Sequence, residues 1–125
     1  MRTTILRKIR RKPLILDGGM GTELHKRGLP AGVLPELWCR DNPREVEAVH
    51  RAYVAAGADV IYTATFGANR SKLAPAGISD IVGINRRLTR VARRAAGEKI
   101  LVAGDIAATG SFVEPFGSLA FEEAV

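Results

Sequence analysis

The sequence predicts an α/β fold with a parallel sheet, and three observations carry that prediction. Short apolar runs alternate with longer stretches whose apolar residues recur at helical spacing. The runs are apolar almost throughout, as strands covered on both faces must be. Each run ends in a polar residue followed by a turn of small residues.

The first run is Leu14-Ile15-Leu16, after Pro13 and before the turn Asp17-Gly18-Gly19. Gly and Pro mark 28–35 as a loop. A helix follows, with Asp41 or Asn42 able to cap it and Pro43 suited to its first position. Val46, Val49 and Tyr53 form its apolar face, and Gly57 stops it. The second strand spans 59–63 and runs into a turn around Gly67. Residues 71–74 form a helical turn before Pro75. Ser79 is then expected to cap a long helix with the stripe Ile81, Ile84, Leu88, Val91 and Ala95, ended by Gly97. The third strand spans 100–103. Ser118 is expected to cap a last helix. The predicted order is β, α, β, α, β, α, with right-handed crossovers.

Composition bounds the function. A chain of 125 residues fits one small domain. Its net charge of +6 comes from residues 1–12, where Arg2, Arg7, Lys8, Arg10, Arg11 and Lys12 meet no acid. The remaining 113 residues carry 13 charges of each sign. That segment reads as a basic entry helix or arm, with Ile5, Leu6 and Ile9 turned inward. It lacks the interleaved aromatics of a nucleic-acid surface. No apolar core of a signal peptide follows it, and no run approaches the roughly 20 apolar residues of a membrane span. A cytoplasmic protein with no nucleic-acid or membrane partner is expected. The single cysteine, Cys39, excludes an internal disulfide and reads as a small buried apolar residue. His25 and His50 stand alone and read as surface or packing residues.

Ligands of parallel α/β proteins sit at the C-terminal ends of the strands. That places Asp17, Thr63, Thr65 and Asp105 on one rim. Asp105 reads equally as a helix cap or a ligand group. The glycines beside Asp17 allow a ligand to approach the backbone. A dinucleotide fingerprint is excluded by spacing, because Leu24 stands where the third glycine is needed. No Gly-Lys-Ser/Thr phosphate loop and no nucleophile–histidine grouping is present.

The string ILDGGMGTEL resembles the opening of the homocysteine-binding domain of homocysteine S-methyltransferases. That family includes the N-terminal module of cobalamin-dependent methionine synthase and betaine–homocysteine methyltransferase. The resemblance continues through NPREVEAVHRAYVAAGADVIYTATFGANRSKL, GINRRLTRVARRAA and ILVAGDIAATGSFVEPFGSLAFEEA, over roughly residues 10–125. The last block is most similar to bacterial methionine synthase modules.

The resemblance implies a (β/α)8 barrel of which this chain supplies the N-terminal part, about three βα units. It divides the chain into a basic helix or arm over 1–12 and an incomplete homocysteine-binding barrel over 13–125. It implies transfer of a methyl group to the thiolate of homocysteine, giving methionine. Zinc is implied as the metal that holds that thiolate, and methylcobalamin is one implied methyl donor. Asp17 and Gly18 match the family's Asp-Gly at the first strand end, where a carboxylate pairs with the substrate ammonium and a backbone amide meets its carboxylate. Thr65 matches the threonine before the phenylalanine of the second-strand motif.

Two positions depart from the family pattern. Ala64 stands where the family usually has Asn, and Ala107-Ala108 where it usually has Gly-Pro. The family's zinc thiolates come from a Gly-x-Asn-Cys and a Gly-Gly-Cys-Cys segment, and neither is present. Cys39 lies outside both motifs, so no metal ligand and no catalytic residue is assigned. Residues 1–125 alone are expected to be inactive and marginally folded. The alternative is a non-catalytic barrel fragment that is inactive or assembles with a second chain. Expected partners are homocysteine and the remaining barrel half or a corrinoid or folate module.

Overall fold

The centre of the molecule is a parallel strand pair. Strand β1 (Val60–Tyr62) runs beside β2 (Leu101–Ala103) with Val60, Ile61 and Tyr62 opposite Leu101, Val102 and Ala103. Leu16 bridges Val60 in the same parallel sense. The computed structural model describes residues 2–124; Met1, Val125 and the side chains of Arg2, Thr3 and Thr4 lie outside the described residues.

Eight further elements surround the pair. Along the chain these are α1 (Arg2–Ile9), α2 (Met20–Lys26), α3 (Pro35–Asp41), α4 (Pro43–Ala55), α5 (Arg70–Leu73), a 3-10 turn (Ala74–Ala76), α6 (Ile81–Ala96) and α7 (Phe121–Ala124). The alternation of strand and helix around β1, α6 and β2 agrees with the sequence. The first expected strand does not form as a strand. Pro13 and the Asp17-Gly18-Gly19 turn leave it room for one bridge, although Asp17 N–H still donates to Val60 O at 3.0 Å. Helices α2 and α3 were not expected.

α4 and α6 form the main helix layer over the strands. The expected stripes are buried: Val46 and Val49 on α4, and Ile84, Leu88, Val91 and Ala95 on α6. Leu24, Ile61, Leu73 and Leu88 are wholly enclosed, each worth about 1.5–3 kcal/mol of apolar transfer. The capping residues differ from expectation. Asp80, not Ser79, caps α6, its Oδ1 accepting Gly83 N–H at 2.8 Å. Neither Asp41 nor Asn42 caps α4 with its side chain; Asn42 instead donates to Trp38 O at 2.9 Å, tying α4 to α3. Ser118 lies three residues before α7 begins at Phe121, too far to cap it.

α1 and the turn after it dock through Lys8 and Lys12. Lys8 Nζ donates to Lys99 O at 3.2 Å, and Lys12 pairs with Asp59 at 3.0 Å. Leu6 and Ile9, expected to face inward, are 51% and 52% exposed; Ile5 is half-buried. After β2 the chain is open, with Ile106 and Phe116 92% and 89% exposed.

Candidate functional site at the strand ends

The C-terminal end of β1 gathers the residues expected there. Asp17 Oδ2 accepts the backbone N–H of Tyr62 at 3.0 Å, which pins the carboxylate to the end of the central strand. Burial raises the Asp17 carboxyl above its ordinary value. Backbone N–H groups of Tyr62 and Asp17 oppose this, and the nearby charge of Asp105 adds to it.

Thr63, Thr65 and Asp105 close a ring. Asp105 N–H donates to Thr63 Oγ1 at 3.0 Å. The two threonine hydroxyls lie 2.7 Å apart, and Thr65 Oγ1 donates to Asp105 O at 2.9 Å. Thr65 has one proton and spends it on that carbonyl, so Thr63 is the donor between the hydroxyls. Both threonines are buried. The Thr65 hydroxyl therefore supports Asp105 and keeps only accepting capacity for a ligand.

Gly18 is required by its neighbour. A Cβ there would lie 2.9 Å from Cε1 and Oη of Tyr53. Tyr53 Oη donates to Gly19 O at 3.0 Å, so α4 holds the glycine turn from one side. The N–H of Gly18 makes no hydrogen bond among the described residues.

Two supports escaped the sequence. Tyr53 was visible as part of an apolar stripe, but its hydroxyl contact was not. Glu36 lies on α3, is 5% exposed, and its Oε1 accepts Gly67 N–H at 2.6 Å. No cation lies within ion-pair distance of it among the described residues. A Cβ on Gly67 would meet that carboxylate at 2.8 Å. Pro35 just before it was the available signal, since proline favours the first position of a helix.

A cavity of about 280 Å³ opens beside this rim. Met20, Leu24, Pro35 and Phe66 give it apolar walls, and Glu36 and Asp105 add carboxylates with no basic residue in the lining. With Asp17 the rim favours a cationic group, such as an ammonium. Cys39 also lines the cavity, but burial and then the charge of Glu36 push its thiol up to about 12. Its thiolate is therefore unavailable at neutral pH.

No group of three His, Cys, Asp or Glu residues among those described could hold a metal ion. The zinc implied by the sequence resemblance does not fit these residues. His25 is exposed, with Nδ1 2.8 Å from Leu29 O. His50 is enclosed in the helix layer, with no hydrogen-bond partner for either ring nitrogen among the described residues.

The homocysteine S-methyltransferase family profile matches residues 14–125. The chain belongs to that family. It is 36% identical over 105 residues to methionine synthase of Mycobacterium leprae (strain TN), covering 77% of this chain and 8% of that protein. It is 33% identical over 114 residues to homocysteine S-methyltransferase of Escherichia coli (strain K12), covering 84% and 36%. Betaine–homocysteine S-methyltransferase 1 of Pongo abelii is 35% identical over 107 residues, covering 80% and 26%. The fold is similar to the metallated homocysteine methyltransferase MmuM of Escherichia coli. The TM-score is 0.71 at 27% identity, covering 83% of this chain and 41% of that one. This homocysteine S-methyltransferase family chain thus spans well under half the length of these relatives.

Proposed function

We propose that the chain provides the amino-acid grip of a homocysteine S-methyltransferase that makes methionine. Asp17 pairs with the substrate ammonium, the free N–H of Gly18 meets its carboxylate, and Thr65 holds Asp105 in place beside them. The observation that carries this reading is the acidic rim: Asp17 and Asp105 act on each other electrostatically, and no basic side chain lines the adjoining cavity. An ammonium placed there relieves that repulsion and favours the ionised form of Asp17.

In the reaction, the homocysteine sulfur in its thiolate form attacks a donor methyl carbon. The new S–C bond forms as the bond from that carbon to the donor breaks, and the donor keeps the electron pair. The residues described here bind and orient the amino-acid end, which restricts the approach of the sulfur. Methylcobalamin is one donor that fits the similarity to methionine synthase, and a corrinoid or folate module is then a partner.

The similarity to MmuM supports a (β/α)8 barrel in which residues 13–125 form the first βα units and 1–12 a basic entry helix. No helix among the described residues is long and apolar enough to cross a membrane, and a cytoplasmic location suits the proposed substrate.

The test is Asp17→Asn in the native gene product, read by calorimetric titration with homocysteine. Loss of a charge-assisted pair is expected to weaken binding by about tenfold or more, at 1.5–3 kcal/mol for such a bond. Wild-type affinity in the variant would refute the grip.

A further inference from the structure

One cation beside the strand-end cavity has no counter-ion. Lys72 lies in α5 and is half-buried, yet it makes no ion pair among the described residues. Its Nζ sits over the Phe66 ring, 5.1 Å from the centroid. Its backbone is fixed as well, because Lys72 N–H donates to Asn69 Oδ1 at 3.0 Å.

Phe66 marks the mouth of the cavity. It is 58% exposed, whereas Leu24 and Glu36 in the same lining are 1% and 5% exposed. No basic side chain lines the cavity itself, so Lys72 stands just outside it, on the residue that forms its open wall. An ammonium has three N–H donors, and a ring face does not use them all. The attraction to an exposed ring is weak, so an arriving anion can take its place.

The rim also needs such a charge. Asp17, Glu36 and Asp105 attract any amine. An amino acid brings a carboxylate on the same carbon as its ammonium, and an acidic rim repels that carboxylate. The Gly18 N–H offers it one neutral donor. A free ammonium at the mouth supplies the missing positive charge.

We propose that Lys72 pairs with the carboxylate of the amino-acid substrate and makes the site select amino acids over simple amines. The proposal rests on the reading of Asp17 as the partner of the substrate ammonium. Arg70, two residues earlier on α5, borders grooves shared with α6 and does not line this cavity, so it is the matched control.

The experiment is calorimetric titration of the native gene product with homocysteine and with 3-aminopropane-1-thiol, which is homocysteine without its carboxylate. Lys72→Met keeps a flexible apolar chain against the ring and removes the charge. It should weaken homocysteine binding about threefold at low salt, with a smaller loss as salt rises. Binding of the aminothiol should be unchanged or tighter. Lys72→Arg should keep the preference for homocysteine, and Arg70→Met should bind both ligands as wild type does. Unchanged homocysteine affinity in Lys72→Met would overturn the proposal. So would an equal loss for both ligands, because Lys72 would then act only by holding Phe66, and so would an equal loss of preference in Arg70→Met. Asp17→Asn separates the two readings, since it should weaken both ligands. Wild-type binding of both by Asp17→Asn would sink the ammonium grip and leave the carboxylate preference of Lys72 to be read on its own. Failure of wild type to bind homocysteine would overturn both.

Discussion

Glu36 on α3 and Gly67 in the loop after β1 meet at 2.6 Å, the carboxylate oxygen accepting a buried backbone N–H. The contact joins positions 31 apart in sequence and supports the turn that presents Thr65. From the other side, Asn85 of α6 donates to Ala68 O at 2.7 Å. The loop is therefore held between two helices, and the hydroxyl ring of Thr63, Thr65 and Asp105 rests on a supported turn.

Glu36→Ala removes the acceptor and leaves Gly67 N–H buried and unpaired. A destabilisation of about 1–3 kcal/mol is expected, read as a lower midpoint in urea. Glu36→Gln retains a carbonyl acceptor of the same length and should recover most of the loss. Equal effects of the two substitutions would mean that the bond to Gly67 is not what matters.

Gly18→Ala tests the opposite side of the rim. Its Cβ would press on the Tyr53 ring at 2.9 Å, so the turn or the ring must move. The substitution should lower stability by about 1–3 kcal/mol, the usual cost of overpacking. Tyr53→Leu removes the ring, and the double variant should be less destabilised than the sum of the singles. Simple additivity in a double-mutant cycle would show that the two residues do not press on each other.

Some of this was legible in the sequence and some was not. Asp17, Thr63, Thr65 and Asp105 were legible because parallel topology gathers strand C-termini at one edge, whatever their separation along the chain. The helices α4 and α6 were legible because Val46–Val49 and Ile84–Leu88–Val91 repeat at helical spacing with glycine stops. Glu36 was not, because a seven-residue helix is too short for periodicity to register. Ser79 and Asp80 both have capping side chains, and the choice fell to Asp80 because its carboxylate reaches the N–H three residues on, at Gly83. The first strand failed because flanking Pro and Gly shorten its ladder, which apolar content alone does not reveal.

The hydroxyl ring predicts that both of its threonines matter. Thr63→Val deletes the acceptor of Asp105 N–H and the donor to Thr65 at once. Thr65→Val deletes the donor to Asp105 O and the acceptor of the buried Thr63 hydroxyl. Both are near-isosteric, so packing changes little. Each should cost about 1–3 kcal/mol. A melt in which either variant matches wild type would show that its hydroxyl does not support the ring.

His50 sets an acid limit on the fold. Burial lowers its pKa from 6.5 to about 4, and the charge of Glu47 opposes this only in part. The folded chain therefore carries His50 neutral, while the unfolded chain takes up its proton near pH 6.5. Between these values the unfolded state binds more protons, so stability falls as pH drops from 6.5 to 4. Above that window the histidine is neutral in both states, and below it the loss is complete. At 1.36 kcal/mol per unit the loss is about 3 kcal/mol. Glu47 and Asp59, held below their ordinary values by hydrogen bonds, add their own loss at lower pH. The histidine's share is isolated by difference: His50→Leu should flatten the stability profile from pH 6.5 to 4 relative to wild type. Parallel profiles for the two proteins would show that His50 does not carry the acid sensitivity.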